Sequence, residues 1–224
     1  EKALTSLGRD YIDIFLLHEQ ESLLTIRGHW EAVRSLMDLR ANGLVRAAGI
    51  STHSVEAVLA AASIQEFDVI HPLFNLEGLG IRDGSREDML RAIKLAAGAG
   101  KGIYTMKALG GGNLLERADD AFQYVLSFPE VSSVAVGMCT REEVDYNVRL
   151  FSGMPVPGGL KALVKRQPRR LHIEEWCRGC GDCVKSCTSE ALSINGDRVV
   201  VERSRCRLCG YCSAACPDFC IKIF

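Results

Sequence analysis

The chain has 224 residues, 47% of them hydrophobic and 25% charged, with a formal net charge of -1. That balance belongs to a folded globular protein, and a chain so near neutrality has no broad electrostatic attraction for nucleic acid. No apolar run approaches the roughly 20 residues that a membrane-crossing helix needs, so neither nucleic acid nor membrane is an expected partner.

In chain order, the sequence opens on Glu1 rather than Met, inside a helix-like stretch that runs to Leu7. It reads either as a processed chain or as a piece of a longer protein. Tyr11–Leu17 is a near-continuous apolar run, the pattern of a strand buried on both faces. Trp30, Val33, Leu36 and Met37 recur at helical spacing, and Asn42-Gly43 supplies residues that accept the left-handed conformation at the helix end. Further strands are predicted at Val45–Ile50, Val69–His71, Ile103–Met106 and Ser133–Val136. Helices are predicted around Val55–Ser63, Glu87–Ala97, Asp119–Ser127 and Glu142–Phe151. Five βα units in succession argue for α/β architecture with a parallel sheet.

Past residue 165 the pattern changes. Cys177, Cys180, Cys183 and Cys187 form one C-x2-C-x2-C-x3-C run, and Cys206, Cys209, Cys212 and Cys216 form a second at an offset of 29 residues. The same offset carries Leu192 and Ile194 onto Ile221 and Ile223. Asn195-Gly196 predicts a hairpin turn between Ala191–Ile194 and Val199–Val201. This spacing holds cubane iron–sulfur clusters through thiolates, so two [4Fe-4S] clusters are expected. Disulfides would need an oxidising compartment, and no signal peptide is visible. Zinc sites built from C-x2-C pairs would leave the third cysteine of each run without a role. The expected compartment is therefore a reducing cytoplasm. Cys220 and Cys139 read as small buried hydrophobes.

The cysteine-rich segment resembles the bacterial two-cluster ferredoxins, although Thr188 stands where the first run would usually carry proline. In that family the fourth cysteine of each run crosses to the other cluster. The resemblance thus implies one cluster on Cys177, Cys180, Cys183 and Cys216, and the other on Cys206, Cys209, Cys212 and Cys187.

The earlier part carries a second resemblance. Asp10-Tyr11-Ile12-Asp13-Ile14-Phe15-Leu16-Leu17-His18 is similar to the fourth strand of an aldo-keto reductase. Trp30-Glu31-Ala32, Val45-Arg46-Ala47-Ala48-Gly49-Ile50-Ser51, Phe74-Asn75, Met106-Lys107-Ala108-Leu109-Gly110-Gly111-Gly112 and Val136-Gly137 follow in the family's order. The implied architecture is a partial TIM (β/α)8 barrel, about the last five βα units over residues 1–165. A small α+β domain with two [4Fe-4S] clusters follows over 166–224. Chemistry in such barrels sits at the C-terminal ends of the strands.

What the resemblance implies for the site is specific. His18 would be the catalytic histidine that orients and polarises a substrate carbonyl. Ser51 and Thr52 stand at the Ser-Asn pair for the nicotinamide carboxamide, and His71 stands where Gln is usual. Met106 takes the place of the aromatic ring that stacks on nicotinamide, followed by Lys107. Gly110 and Gly111, in a run of three glycines, are candidates to approach the pyrophosphate. Gly137, Thr140 and Asn147 fall at the adenosine end, with Thr140 in an N-cap position. Glu143 occupies the position that often holds Arg for a 2′-phosphate, so of NAD and NADP the sequence leans towards NAD.

The family's catalytic Asp, Tyr and Lys come from the first three strands, and this sequence starts just before the fourth. About 90 to 100 preceding residues are expected for a barrel of roughly 250, and the chain alone is expected to be inactive. The function implied is NAD(P)-linked interconversion of a small carbonyl and its alcohol, with electrons passing through the two clusters to a redox protein partner. An alternative is an electron-transfer module with a non-catalytic barrel remnant, and a third reading places Schiff-base chemistry at Lys107.

Overall fold

The computed structural model describes every residue except Glu1, Gln167, Pro168, Arg207 and Cys209. Contacts group the chain into two compact units, the first comprising Glu1–Phe74, Ile81–Met106 and Ser127–Ala135. The second comprises Asn75–Gly80, Lys107–Leu126 and Val136–Phe224. Residue 165 marks a change in sequence pattern, whereas packing groups the cysteine-rich segment with stretches that precede it.

The first unit holds helices α1 (Lys2–Leu7), α2 (Leu23–Gly28), α3 (Trp30–Ala41), α4 (Val55–Ala62) and α5 (Arg86–Gly98). Its strands are β1 (Ile12–Leu17), β2 (Val45–Thr52), β3 (Val69–Pro72), β4 (Gly102–Met106) and β5 (Ser133–Ala135). All neighbours are parallel and the spatial order is the chain order. A doubly wound sheet would reverse order at a switch point; a sequential parallel sheet is the curl of half a β/α barrel.

The helix layer follows from spacing. On α5, Met89, Ala92, Ile93 and Ala96 are buried at the i, i+3, i+4, i+7 positions of one face. They pack on α4, whose Ala57, Val58 and Ala61 are fully buried. Along β3 and β4, Ile70, Ile103 and Thr105 are buried on one face, while His71, Tyr104 and Met106 are half-buried on the other. Period-two alternation thus turns the polar strand ends away from the helices.

Two expectations need correcting in this unit. β1 was expected to be buried on both faces, yet Ile14 and Phe15 are 43% and 36% exposed. The reason is position: β1 is an edge strand that pairs with β2. The short helix α2 was not anticipated; its six residues are too few to show a period.

The start of α4 is held by Asp83, which accepts from the Val55 N–H (2.6 Å), the Glu56 N–H (2.9 Å) and the Ser54 hydroxyl (2.6 Å). Burial alone would raise the Asp83 pKa, but these hydrogen bonds outweigh it and hold the carboxyl below its ordinary 3.8. Asp83→Ala is expected to cost about 1–2 kcal/mol at neutral pH, the scale of a lost helix cap. A depressed folded-state pKa gives a contribution that is complete above the unfolded value and vanishes as pH falls through the folded one. Thermal unfolding should separate variant from wild type at pH 7, and the gap should close as pH falls below the ordinary carboxylate range.

The second unit holds α6 (Ala118–Leu126), α7 (Arg141–Phe151), α8 (Gly158–Lys165), α9 (Asp182–Lys185) and α10 (Tyr211–Ala214). Its strands are β6 (Leu171–Ile173), β7 (Leu192–Asn195), β8 (Arg198–Val201) and β9 (Ile221–Ile223), paired antiparallel as β6 with β9 and β7 with β8. Asp119 ties three helices together, accepting from the Tyr146 hydroxyl and from Lys161 Nζ.

The 29-residue repeat extends to the backbone. Positive φ recurs at Gly179 and Leu208, at Gly181 and Gly210, and at Glu190 and Phe219. Each pair is one repeat apart, and Gly181 and Gly210 open α9 and α10 in the same left-handed conformation. The hairpin turn lies one residue later than predicted. Asn195 still pairs with Arg198, so Gly196-Asp197 is the loop, and Gly196 supplies the positive φ. Among the described residues no helix is long and apolar enough to cross a membrane.

Candidate functional site

In the first unit the polar strand ends converge. The parallel register sets Ser51 beside His71, and His18 follows Leu17 at the end of β1. His18 Nδ1 lies 3.0 Å from Ser51 Oγ, which also accepts the Glu19 N–H at 3.0 Å. When the serine hydroxyl donates to Nδ1, the neutral imidazole carries its proton on Nε2, the form that can donate to a carbonyl oxygen. Ser51 itself is buried, 4% exposed.

Thr52 stands differently from the carboxamide contact expected of it. It is fully buried, its hydroxyl donates to the Gln20 carbonyl at 2.5 Å, and it accepts the Ser54 N–H at 2.8 Å. Its hydroxyl braces the turn after β1. Gln20 completes that brace, donating from Nε2 to the His18 carbonyl and meeting His29 Nδ1 through Oε1, each at 3.0 Å. Nothing in the sequence marks Gln20, because its contacts with His29 and Thr52 depend on how the loops meet.

His71 Nδ1 is 2.7 Å from the Tyr104 carbonyl, and the two rings stack at 3.9 Å. A bond to a carbonyl requires Nδ1 to carry the proton, so in the neutral ring Nε2 is the acceptor. That polarity suits a donor such as a carboxamide NH2. Met106 is half-buried on the same face of the sheet as Tyr104, and its carbonyl accepts the Phe74 N–H at 3.2 Å.

Within the second unit, Lys107 holds a positive φ of 58° and its ammonium lies 4.4 Å from the centre of the Phe219 ring. The glycine run that follows is pressed against the cysteine module. A Cβ on Gly111 would meet Phe219 Cε1 at 2.8 Å, and one on Gly112 would meet the Ile223 carbonyl oxygen at 2.2 Å. Asn113 donates to Ser213 Oγ at 3.1 Å. Close backbone approach does explain the glycines, and what approaches them here is protein.

At α7 the N-cap is Thr140, as expected, with Glu143 closing a reciprocal capping box. The Glu143 carboxylate accepts the Cys139 N–H at 2.6 Å, so a negative charge already sits at this helix start. Asn147 is half-buried on α7, and Gly137 has open space where a Cβ would stand. Cys139 is exposed, correcting the expectation of burial, since it lies in the open segment before the helix.

The described cysteines of the two runs fall into two groups. Cys183 lies deep among Cys216, Cys180 and Cys177; burial first, and then their charges, push its thiol up to about 11. Cys177 moves the other way, because N–H groups of Val199 and Gly179 directed at its sulfur outweigh the effect of burial. Cys187, Cys206 and Cys212 line a separate pocket together with Leu171, Leu192 and Leu208. Cys209, expected with this group, lies outside the described residues. The structure therefore sets Cys216 beside members of the first run and Cys187 beside members of the second. Thiols with N–H donors on their sulfurs, in an apolar surround, are the donor set that suits a [4Fe-4S] cube.

A half barrel with converging polar strand ends, joined to a two-fold cysteine module, defines an iron–sulfur oxidoreductase fold. The model of the aldo/keto reductase family matches residues 1–125, and that of the 4Fe-4S dicluster domain matches residues 170–217. The chain belongs to the aldo/keto reductase family and carries a dicluster domain. Over 50 residues, 21% of this chain, it is 42% identical to an uncharacterized ferredoxin of Methanocaldococcus jannaschii, covering 81% of that protein. A ferredoxin of Methanothermococcus thermolithotrophicus is 38% identical over 50 residues, 83% of its length. Among solved structures, a Pseudomonas aeruginosa protein classed as an aldo-keto reductase is 28% identical with a TM-score of 0.56, over 68% of this chain and 56% of that one. An aldo-keto reductase from Bacillus halodurans in its holo form shares the fold at 18% identity and a TM-score of 0.55, over 74% of this chain and 64% of that one. The chain thus spans between half and two thirds of the length of these reductases.

Proposed function

We propose that this chain is part of an oxidoreductase that interconverts a small carbonyl compound and its alcohol with a nicotinamide cofactor, and exchanges electrons through two [4Fe-4S] clusters. The observation that carries the first half is the His18–Ser51 contact at 3.0 Å on adjacent strand ends. Ser51 holds His18 in the form that donates from Nε2, and His18 then polarises the carbonyl oxygen while hydride arrives from nicotinamide. Ser51 retains one acceptor position for the carboxamide, and His71 Nε2 offers another. Met106 provides a soft surface against the nicotinamide ring. The family's Asp, Tyr and Lys would come from strands outside these 224 residues.

The crossed sets, Cys177, Cys180, Cys183 with Cys216 and Cys206, Cys209, Cys212 with Cys187, would each hold one cluster in a reducing compartment such as the cytoplasm. The clusters supply one-electron steps when bound. Two of them hold two electrons, the number a hydride carries. Residues 166–224 act in this reading as the electron-transfer domain, towards a redox protein partner. At the adenosine end, Glu143 disfavours a 2′-phosphate, so NAD is preferred to NADP.

Equilibrium binding of NADH and NADPH to the anaerobically reconstituted protein tests this reading. NADH is expected to bind more tightly, and Ser51→Ala to weaken it by about 1 kcal/mol, roughly five-fold. If neither nucleotide binds protein that carries its clusters, the chain is instead an electron-transfer module on a non-catalytic barrel.

A further inference from the structure

We propose that Cys220 is the hydrogen-bond donor that makes the two clusters unequal, holding the cube bound through Cys216 at a higher reduction potential than its two-fold mate. The proposal rests on the crossed ligand sets given above. Cys220 is 2% exposed in the core of the cysteine module, and its Sγ lies 3.2 Å from Cys216 Sγ. Of two sulfurs at that distance, an iron-bound Cys216 is a thiolate with no proton, so Cys220 must be the donor.

The repeat supplies a comparison inside the same molecule. The Cys220 N–H reaches Cys216 Sγ at 3.4 Å, and one repeat earlier the Ala191 N–H reaches Cys187 Sγ at 3.3 Å. Both crossing cysteines thus accept the same main-chain bond. Among the described residues, of these two only Cys216 also receives a thiol, because the position equivalent to Cys220 is Ala191. A small buried hydrophobe would account for the burial of Cys220 but not for its sulfur contact. Donors aimed at cluster sulfurs favour the more negative, reduced state and raise the potential. An electron entering the module therefore rests on the Cys216 cube.

The test is a potentiometric titration of the full chain followed by EPR, after iron and sulfide have been counted. Cys220→Ala is expected to shift the reduction equilibrium of one cluster about tenfold towards the oxidised form, 59 mV for a one-electron couple, and to leave the other cluster unmoved. Cys220→Ser keeps a donor and should recover most of the shift. Ala191→Cys places a donor beside Cys187 and should raise the second cluster, which decides the matter even if Cys220→Ala does not hold its iron. Unchanged potentials in a chain with both cubes, or equal movement of both, overturn the proposal alone. A count showing no pair of cubes overturns the ligand sets and the proposal with them.

Discussion

Cys216→Ser is expected to remove the same cluster as Cys183→Ser, although Cys216 belongs to the other run. Each substitution should lower iron and acid-labile sulfide from about eight of each per chain to about four. The EPR and redox signature that survives should be the same in both. Cys187→Ser and Cys212→Ser should leave the complementary signature. The grounds are geometric: Cys183 lies with Cys177, Cys180 and Cys216, while Cys187, Cys206 and Cys212 share a cavity. Cys183, Cys212 and Cys216 also sit in the apolar core of the module, beside Leu171, Leu192, Val199 and Ile221. A domain of this size has a core worth only about 3–5 kcal/mol, so cluster binding is much of its folding energy. The lost cluster should accordingly lower the unfolding midpoint as well as the iron count. Matching signatures for Cys216→Ser and Cys212→Ser would show the runs to be uncrossed.

What could be read from the sequence divides along physical lines. Cysteine spacing is set by the geometry of the cube, so the runs at 177–187 and 206–216 were legible before any fold was known. Strands β2 to β4 were legible because an interior parallel strand reads as an apolar run. β1 misled for the same reason, as its composition is that of an interior strand and its place is an edge. β6 is only Leu171-His172-Ile173 and carries no signal of its own. Contacts between distant segments were beyond reach. Thr52 bonding to the Gln20 carbonyl and Asn113 meeting Ser213 depend on which loops meet, and no local pattern reports that. The glycines at 110–112 announced a close approach without saying of what.

Gly112→Ala turns that last ambiguity into a measurement, and we expect it to destabilise the second unit by about 3 kcal/mol. Gly112 holds φ at 101°, where an L side chain is strained in any surroundings. The added Cβ would also lie 2.2 Å from the Ile223 carbonyl oxygen. That oxygen cannot easily retreat, since Ile223 is in β9 and registers with Leu171 of β6. Relief must therefore come from pulling the loop off β9, which would loosen its neighbour contacts, the Gly111 packing on Phe219 and the Asn113 bond to Ser213. Denaturant unfolding should show a lower midpoint, with cluster uptake reduced because Phe219 and Ile221 flank Cys220 and the Cys216 cube. A glycine loop that served only to approach a pyrophosphate would behave in the opposite way: nucleotide affinity would fall while the unfolding midpoint and the iron content stayed put. An unmoved midpoint would thus defeat the packing account and return Gly110 and Gly111 to the cofactor. A lowered midpoint with unchanged nucleotide affinity would assign the run to the cysteine module, leaving the phosphates to Thr140 and the start of α7.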